Sequence, residues 1–242
     1  MLSSSQVVVY TNSAPTSLSF SGTSTNTTLG GKTVWYLTTN GTLTINQTAG
    51  TSYLINYCVI GGGGSGGGGT PNQSTASGGG GGGQVSTGSY TNYGTTTNSV
   101  TIGAGGPYII TGNGYQGSSS KYNTITSIGG YGGLESSTTG GIAGGCGSSN
   151  GGGSGQAASA GYNLTIGSST NNYYASGGNG GDWNSAVQPL GGGGLGGTNG
   201  IRGAGNANTN SGSGSGGERY ANGGSVGTNY TVGGSGIVII WY

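Results

Sequence analysis

Histidine is absent from this 242-residue chain and charge nearly so: four Lys and Arg, three Asp and Glu, and a formal net charge of +1. Without histidine, Ser-His and Cys-His nucleophile systems, imidazole general bases and histidine-ligated zinc are excluded in their usual forms. The three acids, Glu135, Asp182 and Glu218, are scattered and no motif pairs them, which argues against a two-carboxylate glycosidase. Four cations do not build the positive field that nucleic acid requires. The glycine strings lack both a Walker lysine and a following helix, so they do not read as phosphate loops. The expectation is a protein that is not an enzyme, takes no cofactor or metal, and has no nucleic-acid partner.

Cysteine is scarce too. Cys58 and Cys146 are too few for a disulfide framework and lack metal-site spacing, so one bridge or two buried thiols both remain open. No apolar run approaches the ~20 residues of a membrane helix, and MLSSSQVVVY has neither the basic start nor the long apolar stretch of a secretory signal. The expected chain is made in the cytoplasm and has no membrane partner. Core-forming side chains are thin: 10 Leu, 14 Ile, 11 Val and a single Phe.

Against these shortages stand 65 glycines. Each carries an ordering cost of about 0.5–1 kcal/mol relative to alanine in regular structure. So few aliphatic residues do not easily offset that cost, so a folded form requires the glycines themselves to be packed. The low charge also separates this composition from disordered chains held apart by repulsion.

The first sixty residues show period-2 alternation. QVVVY (6–10), SLSF (17–20), KTVWYL (32–37), GTLTI (41–45) and SYLINYCVI (52–60) read as strands, with Asn40-Gly41 as a hairpin turn. In the last of these, Tyr53, Ile55, Tyr57 and Val59 share one face and Leu54, Asn56, Cys58 and Ile60 the other, which predicts a central strand. Later strand-like pieces are 98–103, 123–130, 162–167 and 235–242, the last expected to pair in the same sheet as 53–60. No segment carries apolar residues at helical spacing, so essentially no α-helix is expected.

Glycine tracts fill 61–69, 78–83, 129–133, 151–153 and 191–197. In GGGGLGGTNGIRGAG (191–205), glycine falls at every third position from Gly191 to Gly203, while Leu195, Thr198, Ile201, Ala204 and Ala207 form another rail. Three residues per turn is the polyproline II repeat, and an all-glycine rail lets a second backbone approach as closely as at the axis of collagen. The predicted architecture is all-β, with a sandwich-like β-rich segment over 1–50 and a domain of packed polyglycine II helices over 51–242. The competing reading is a set of flexible linkers, disfavoured because five tracts alternate with short strands up to an apolar terminal strand. SGSGSGG (211–217) has period 2 and reads as a silk-like strand or a loop.

The pieces YLINYCVIGGGGSGGGG, VTIGAGG (100–106), GYQGSSSKYNTITSIGG (114–130) and GGSGIVIIWY (233–242) together resemble the glycine-rich domain of virion-associated proteins, from large DNA virus capsids to phage tail fibres. The resemblance implies a virion structural protein, located in a capsid or on the virion surface, with other virion proteins or further copies of itself as partners. Its alternative implication is a receptor-binding adhesin. The sixty-residue β-rich start departs from the fibre-tip pattern.

Sixteen tyrosines against one phenylalanine supply flat rings that also carry a hydroxyl, suited to glycan stacking and to protein interfaces. Tyr90, Tyr93, Tyr173, Tyr174, Trp183, Arg219 and Tyr220 lie in stretches that read as loops, and are the candidate contacts for a host receptor or glycan. The plainer alternative is that these rings cover glycine-rich backbone or meet neighbouring subunits. Asn-x-Ser/Thr triplets at Asn26, Asn40, Asn46, Asn72, Asn163 and Asn229 are a weak glycosylation signal in so Asn- and Thr-rich a chain. Ice binding through Thr rows is a third reading, opposed by irregular Thr spacing.

Overall fold

A computed structural model describes residues 9–68, 76–135, 158–181, 189–197, 205–218 and 231–242. Among them there are thirteen strands and no α-helix. The strands are β1 (Thr11–Asn12), β2 (Ser17–Phe20), β3 (Ser24–Leu29), β4 (Lys32–Leu37), β5 (Gly41–Asn46), β6 (Thr51–Ile60) and β7 (Val85–Tyr93). There follow β8 (Thr96–Thr101), β9 (Ser120–Tyr122), β10 (Ile125–Ser127), β11 (Tyr162–Ile166), β12 (Ser169–Tyr174) and β13 (Ile237–Trp241).

β6 is central, as its two apolar faces predict. One edge pairs with β7 from Ser52–Tyr93 to Ile60–Val85, the other with β13, which in turn pairs with β4, and β4 with β3. A second sheet has the order β10-β9-β8-β5-β2, and β11-β12 form a separate hairpin. Residues before and after position 51 therefore share both large sheets. Two cores flank the first sheet. On one face Leu37, Ile55, Val59, Val238 and Ile240 meet Leu18, Leu43, Ile45, Val100 and Tyr122 of the second sheet. On the other, Val34, Cys58, Ile60, Ile237 and Ile239 meet Leu164 and Ile166 of the hairpin. Burying each of these aliphatic side chains contributes about 1.5–3 kcal/mol, which concentrates apolar stabilisation in the middle layer.

Several local expectations are corrected. Val9 and Tyr10 are exposed and not in a strand, and residues 6–8 lie outside the described ones. Asn40-Gly41 does not make a hairpin: the chain passes there from β4 in the first sheet to β5 in the second. Gly41 is needed for space, since a Cβ would strike the Phe20 ring and the Gly22 nitrogen. Asn40 Oδ1 accepts the Ile102 N–H at 2.7 Å. Tight two-residue hairpins form instead at β3–β4, β9–β10 and β11–β12; in the first, Gly30 and Gly31 take φ of 57° and 76°, the left-handed values of a type I′ turn. Strands β3, β7, β9 and β12 have sequences too polar to announce themselves.

At Ile60 the chain leaves the sheet as a polyglycine II helix, and its hydrogen bonds turn by a third of a circle per residue. The N–H groups of Gly61, Gly64 and Gly67 donate to the carbonyls of Gln84, Gly81 and Gly78 (3.0, 2.9 and 2.9 Å). Those of Gly62, Ser65 and Gly68 donate to Ser118, Tyr115 and Gly112 (2.9, 3.0 and 2.9 Å). On the third rail Gly63 donates to the Gly234 carbonyl and Gly66 to the Ser215 hydroxyl. Between these donors the missing side chains face three further segments: a Cβ on Gly61, Gly62 or Gly63 would collide with the carbonyl of Ile128, Ala104 or Ser213.

Helix 61–68 thus has six neighbours, and they close a ring. Around it run Gly81 N–H to Tyr131, Gly117 to Gly130, Ser118 to Ala104, Gly233 to Gly106, Gly234 to Ser213 and Gly80 to Ser215, all between 2.8 and 3.0 Å. Residues 61–68 are buried throughout. SGSGSGG is likewise not a strand: Ser211 and Gly212 close a turn and the rest is a glycine helix. Helix 213–218 donates at three-residue intervals, from Gly214 and Gly217 to Ser176 and Asn179 and from Ser215 and Glu218 to Gly64 and Gly67. Its serines are buried and their hydroxyls serve the lattice, Ser213 donating to the Gly191 carbonyl at 2.6 Å. For the tracts at 61–68, 78–83, 129–133 and 191–197 the linker reading therefore fails, because each backbone group paired across segments satisfies a requirement that burial imposes; the tract 151–153 and Thr198, Ile201 and Ala204 lie outside the described residues.

Candidate functional site

The seven residues picked from the sequence do not form one site. Tyr90 is in β7, not in a loop, and packs on the core between the two large sheets, with its hydroxyl 2.6 Å from that of Tyr122. Burial raises the pKa of both phenols above the ordinary tyrosine value. Tyr174, in β12, packs on the opposite core and shares a hydrogen bond with Tyr36; burial raises its pKa too. Both are structural phenols whose rings fill cores. Tyr93, at the end of β7, is 55% exposed and meets Tyr10 edge to face at 4.7 Å. Trp183, Arg219 and Tyr220 lie outside the described residues, as does Cys146, while Cys58 is a buried free thiol whose pKa burial raises.

Tyr173 has a different setting. Its neighbour Tyr174 faces the core, so strand alternation directs Tyr173 to the outer face of the hairpin. There it lines an open groove of about 440 Å³ together with Tyr174, Leu190, Asn208, Thr209, Asn210 and Ser211. Two turns, at 190–192 and 209–212, form the walls. They are joined by the Asn208 N–H donating to the Gly192 carbonyl at 2.8 Å, and the second is held by the Ser211 hydroxyl on the Asn208 carbonyl at 2.6 Å. Asn210 and the adjoining Ala175 are held at φ of 55°, a left-handed conformation costing about 1–2 kcal/mol for a residue with a side chain.

The Tyr173 and Thr209 hydroxyls and the Asn208 side-chain amide have no hydrogen-bond partner among the described residues, whereas Asn210 Oδ1 accepts from Ser235. No charged residue is among the described residues that line the groove. Sequence reading found Tyr173 and Tyr174 but missed the rest, because the glycine helices, not local sequence, bring 190–192 and 209–212 together. The Asn-Thr-Asn run at 208–210 is the signal that pointed there.

A second convergence is at the far end of the bundle. Strands β6, β8, β10 and β12 run into glycine helices, and β7, β9 and β13 are entered from them. The antiparallel and parallel bonding just described then places Gly68, Ala76, Glu135, Gly181, Gly197 and Glu218 at the end away from the sheets. Trp183 follows Gly181 by two residues, and Arg219 and Tyr220 follow Glu218 directly.

Among the described residues no three His, Cys, Asp or Glu side chains gather as a metal site would require, and no helix is long and apolar enough to cross a membrane. No curated protein matches the chain. A family model described as a glycine-rich domain matches residues 38–242, from the bend before β5 to the last residue. With both large sheets and the glycine bundle falling within or against that span, the chain belongs to the glycine-rich domain family.

Proposed function

We propose that the chain is a non-enzymatic structural protein of a virus particle, a minor capsid or surface-fibre component that acts as a rigid, nearly uncharged scaffold. The observation that carries this reading is the closed ring of six glycine helices around 61–68, seated on a three-layer β-structure. Backbone pairing in a buried lattice resists local opening, since protection from unfolding follows burial and bonding of the main chain. Support also comes from the sequence pieces that resemble virion-associated proteins. Synthesis in the host cytoplasm and partners among virion proteins or further copies of the chain belong to the same reading.

A second reading, host attachment through a glycan or protein receptor, is favoured by one observation: several described glycine segments end together at one end of the bundle, and Trp183, Arg219 and Tyr220 stand within two residues of such ends in the sequence. One experiment serves both. The chain is quantified by mass spectrometry in gradient-purified particles, and then in particles carrying Trp183→Ala, Arg219→Ala and Tyr220→Ala together. The chain is expected in stoichiometric amount in wild-type particles, and its absence would sink both readings. Triple-variant particles that assemble normally but no longer adsorb to cells establish attachment; normal assembly with normal adsorption removes it and leaves the scaffold.

A further inference from the structure

We infer that the groove beside Tyr173 is a binding site for a neutral saccharide, a hexopyranoside unit of a larger glycan. A pyranose has one face of C–H groups and a rim of hydroxyls, and therefore needs a ring to lie on and short polar groups beside it. The groove offers that combination: the outward-facing Tyr173, the apolar Leu190, which is 59% exposed, the Asn208 amide, and the hydroxyls of Tyr173 and Thr209. A primary amide presents a donor and an acceptor side by side, which matches two adjacent hydroxyls of a sugar.

The described lining residues set the ligand class. None of them is a Lys or Arg that would pair with a carboxylated or sulfated sugar, and none is an acid that would pair with an amine. About 440 Å³ falls within the usual range of small-molecule sites and holds a hexopyranose with accompanying water. The walls are preorganised: Asn210 and Ala175 keep their left-handed backbone because the Asn210 N–H donates to Ser235 Oγ at 2.9 Å and the Ala175 N–H to the Ser211 carbonyl at 2.7 Å. Strained residues held by surrounding bonds are concentrated at ligand sites. The inference deepens the attachment reading but does not depend on Trp183, Arg219 or Tyr220.

The test is amide NMR of the full chain titrated with methyl α-mannopyranoside, methyl β-galactopyranoside and N-acetylglucosamine, with N-acetylneuraminic acid as the charged comparison. At least one neutral sugar is expected to shift the Gly191, Gly192 and Asn208 signals with a Kd on the order of millimolar, as one ring in an open groove gives. Tyr173→Ala and Asn208→Ala should each weaken binding tenfold or more without lowering Tm, and Tyr173→Phe should retain most of it. The inference is overturned if no neutral sugar shifts these signals, if Tyr173→Ala binds as well as wild type, or if the acidic sugar binds best. Since particle incorporation and adsorption are measured separately, such a failure leaves the proposed function standing.

Discussion

At the residue scale, a glycine in this molecule is defined by what stands opposite its missing side chain. In 128–134, Ile128, Tyr131 and Leu134 face outward and are 39%, 46% and 39% exposed. A Cβ on Gly129 or Gly132 would instead strike the carbonyl of Gly117 or Gly114, and one on Gly130 or Gly133 that of Gly81 or Gly78. The pattern xGGxGGx therefore marks a helix at the lattice edge, and a run such as 61–68, glycine but for the buried Ser65, marks one at its centre. Alanine scanning of this segment should show a three-residue period in urea-denaturation midpoints: Tyr131→Ala within about 0.5 kcal/mol of wild type, and Gly130→Ala destabilised by about 3 kcal/mol through overpacking against backbone. Gly94, in a turn at φ 65° with open space around it, should cost only about 1 kcal/mol on change to alanine. Equal effects at Tyr131 and Gly130 would contradict the lattice. This periodicity was legible in the sequence; which rail faces which neighbour was not, because the ring is assembled from segments up to 170 residues apart in the chain, such as Gly63 and Gly233.

At the scale of elements, β13 is inserted between β6 and β4, so the last strand of the chain completes the middle of the central sheet. Val238, Ile239 and Ile240 are fully buried and alternate between the two cores. Ile239→Ala should cost about 2–5 kcal/mol. Truncation before Ile237 should abolish cooperative unfolding in circular dichroism melts, because two ladders and both cores lose a member together; a truncated chain that still melts cooperatively would show that the sheet closes without it. Apolar strands such as β4, β6 and β13 were legible because burial on both faces leaves near-continuous apolar runs. VSTGSYTNY and STNNYY were misread as loops, since their Gly, Ser and Asn signal turns. Their extended form is imposed by pairing along β6 and β11, and with it Tyr90 turns into a core and leaves the candidate site, while Tyr174 packs on the other core and still borders the groove.

For the whole molecule, stability is nearly uncoupled from charge until alkaline pH. Tyr36, Tyr90, Tyr122, Tyr174, Tyr242 and the Cys58 thiol all have raised pKa values, in each case chiefly through burial. In the unfolded chain these groups ionise at about 8.5 for cysteine and about 10 for tyrosine. The fold binds their protons more tightly, so their contribution is fully present below those values and is lost as pH rises through and above them. With no histidine to titrate, urea midpoints should be flat between about pH 6 and 8 and fall steeply above about pH 10. A midpoint that rises between pH 9 and 11 would show that the buried phenols and the thiol are not held neutral by the fold.

Because each glycine helix completes its turn in three residues, the bundle possesses something like a reading frame at the level of protein. Matched triplets added to adjoining helices lengthen the shaft by about 9.3 Å each and return every side chain to its former bearing. One extra residue, or two, rotates all that follows and drives side chains into neighbouring backbones. Divergence in length among such molecules should therefore proceed by threes within the shaft and without that restriction outside it.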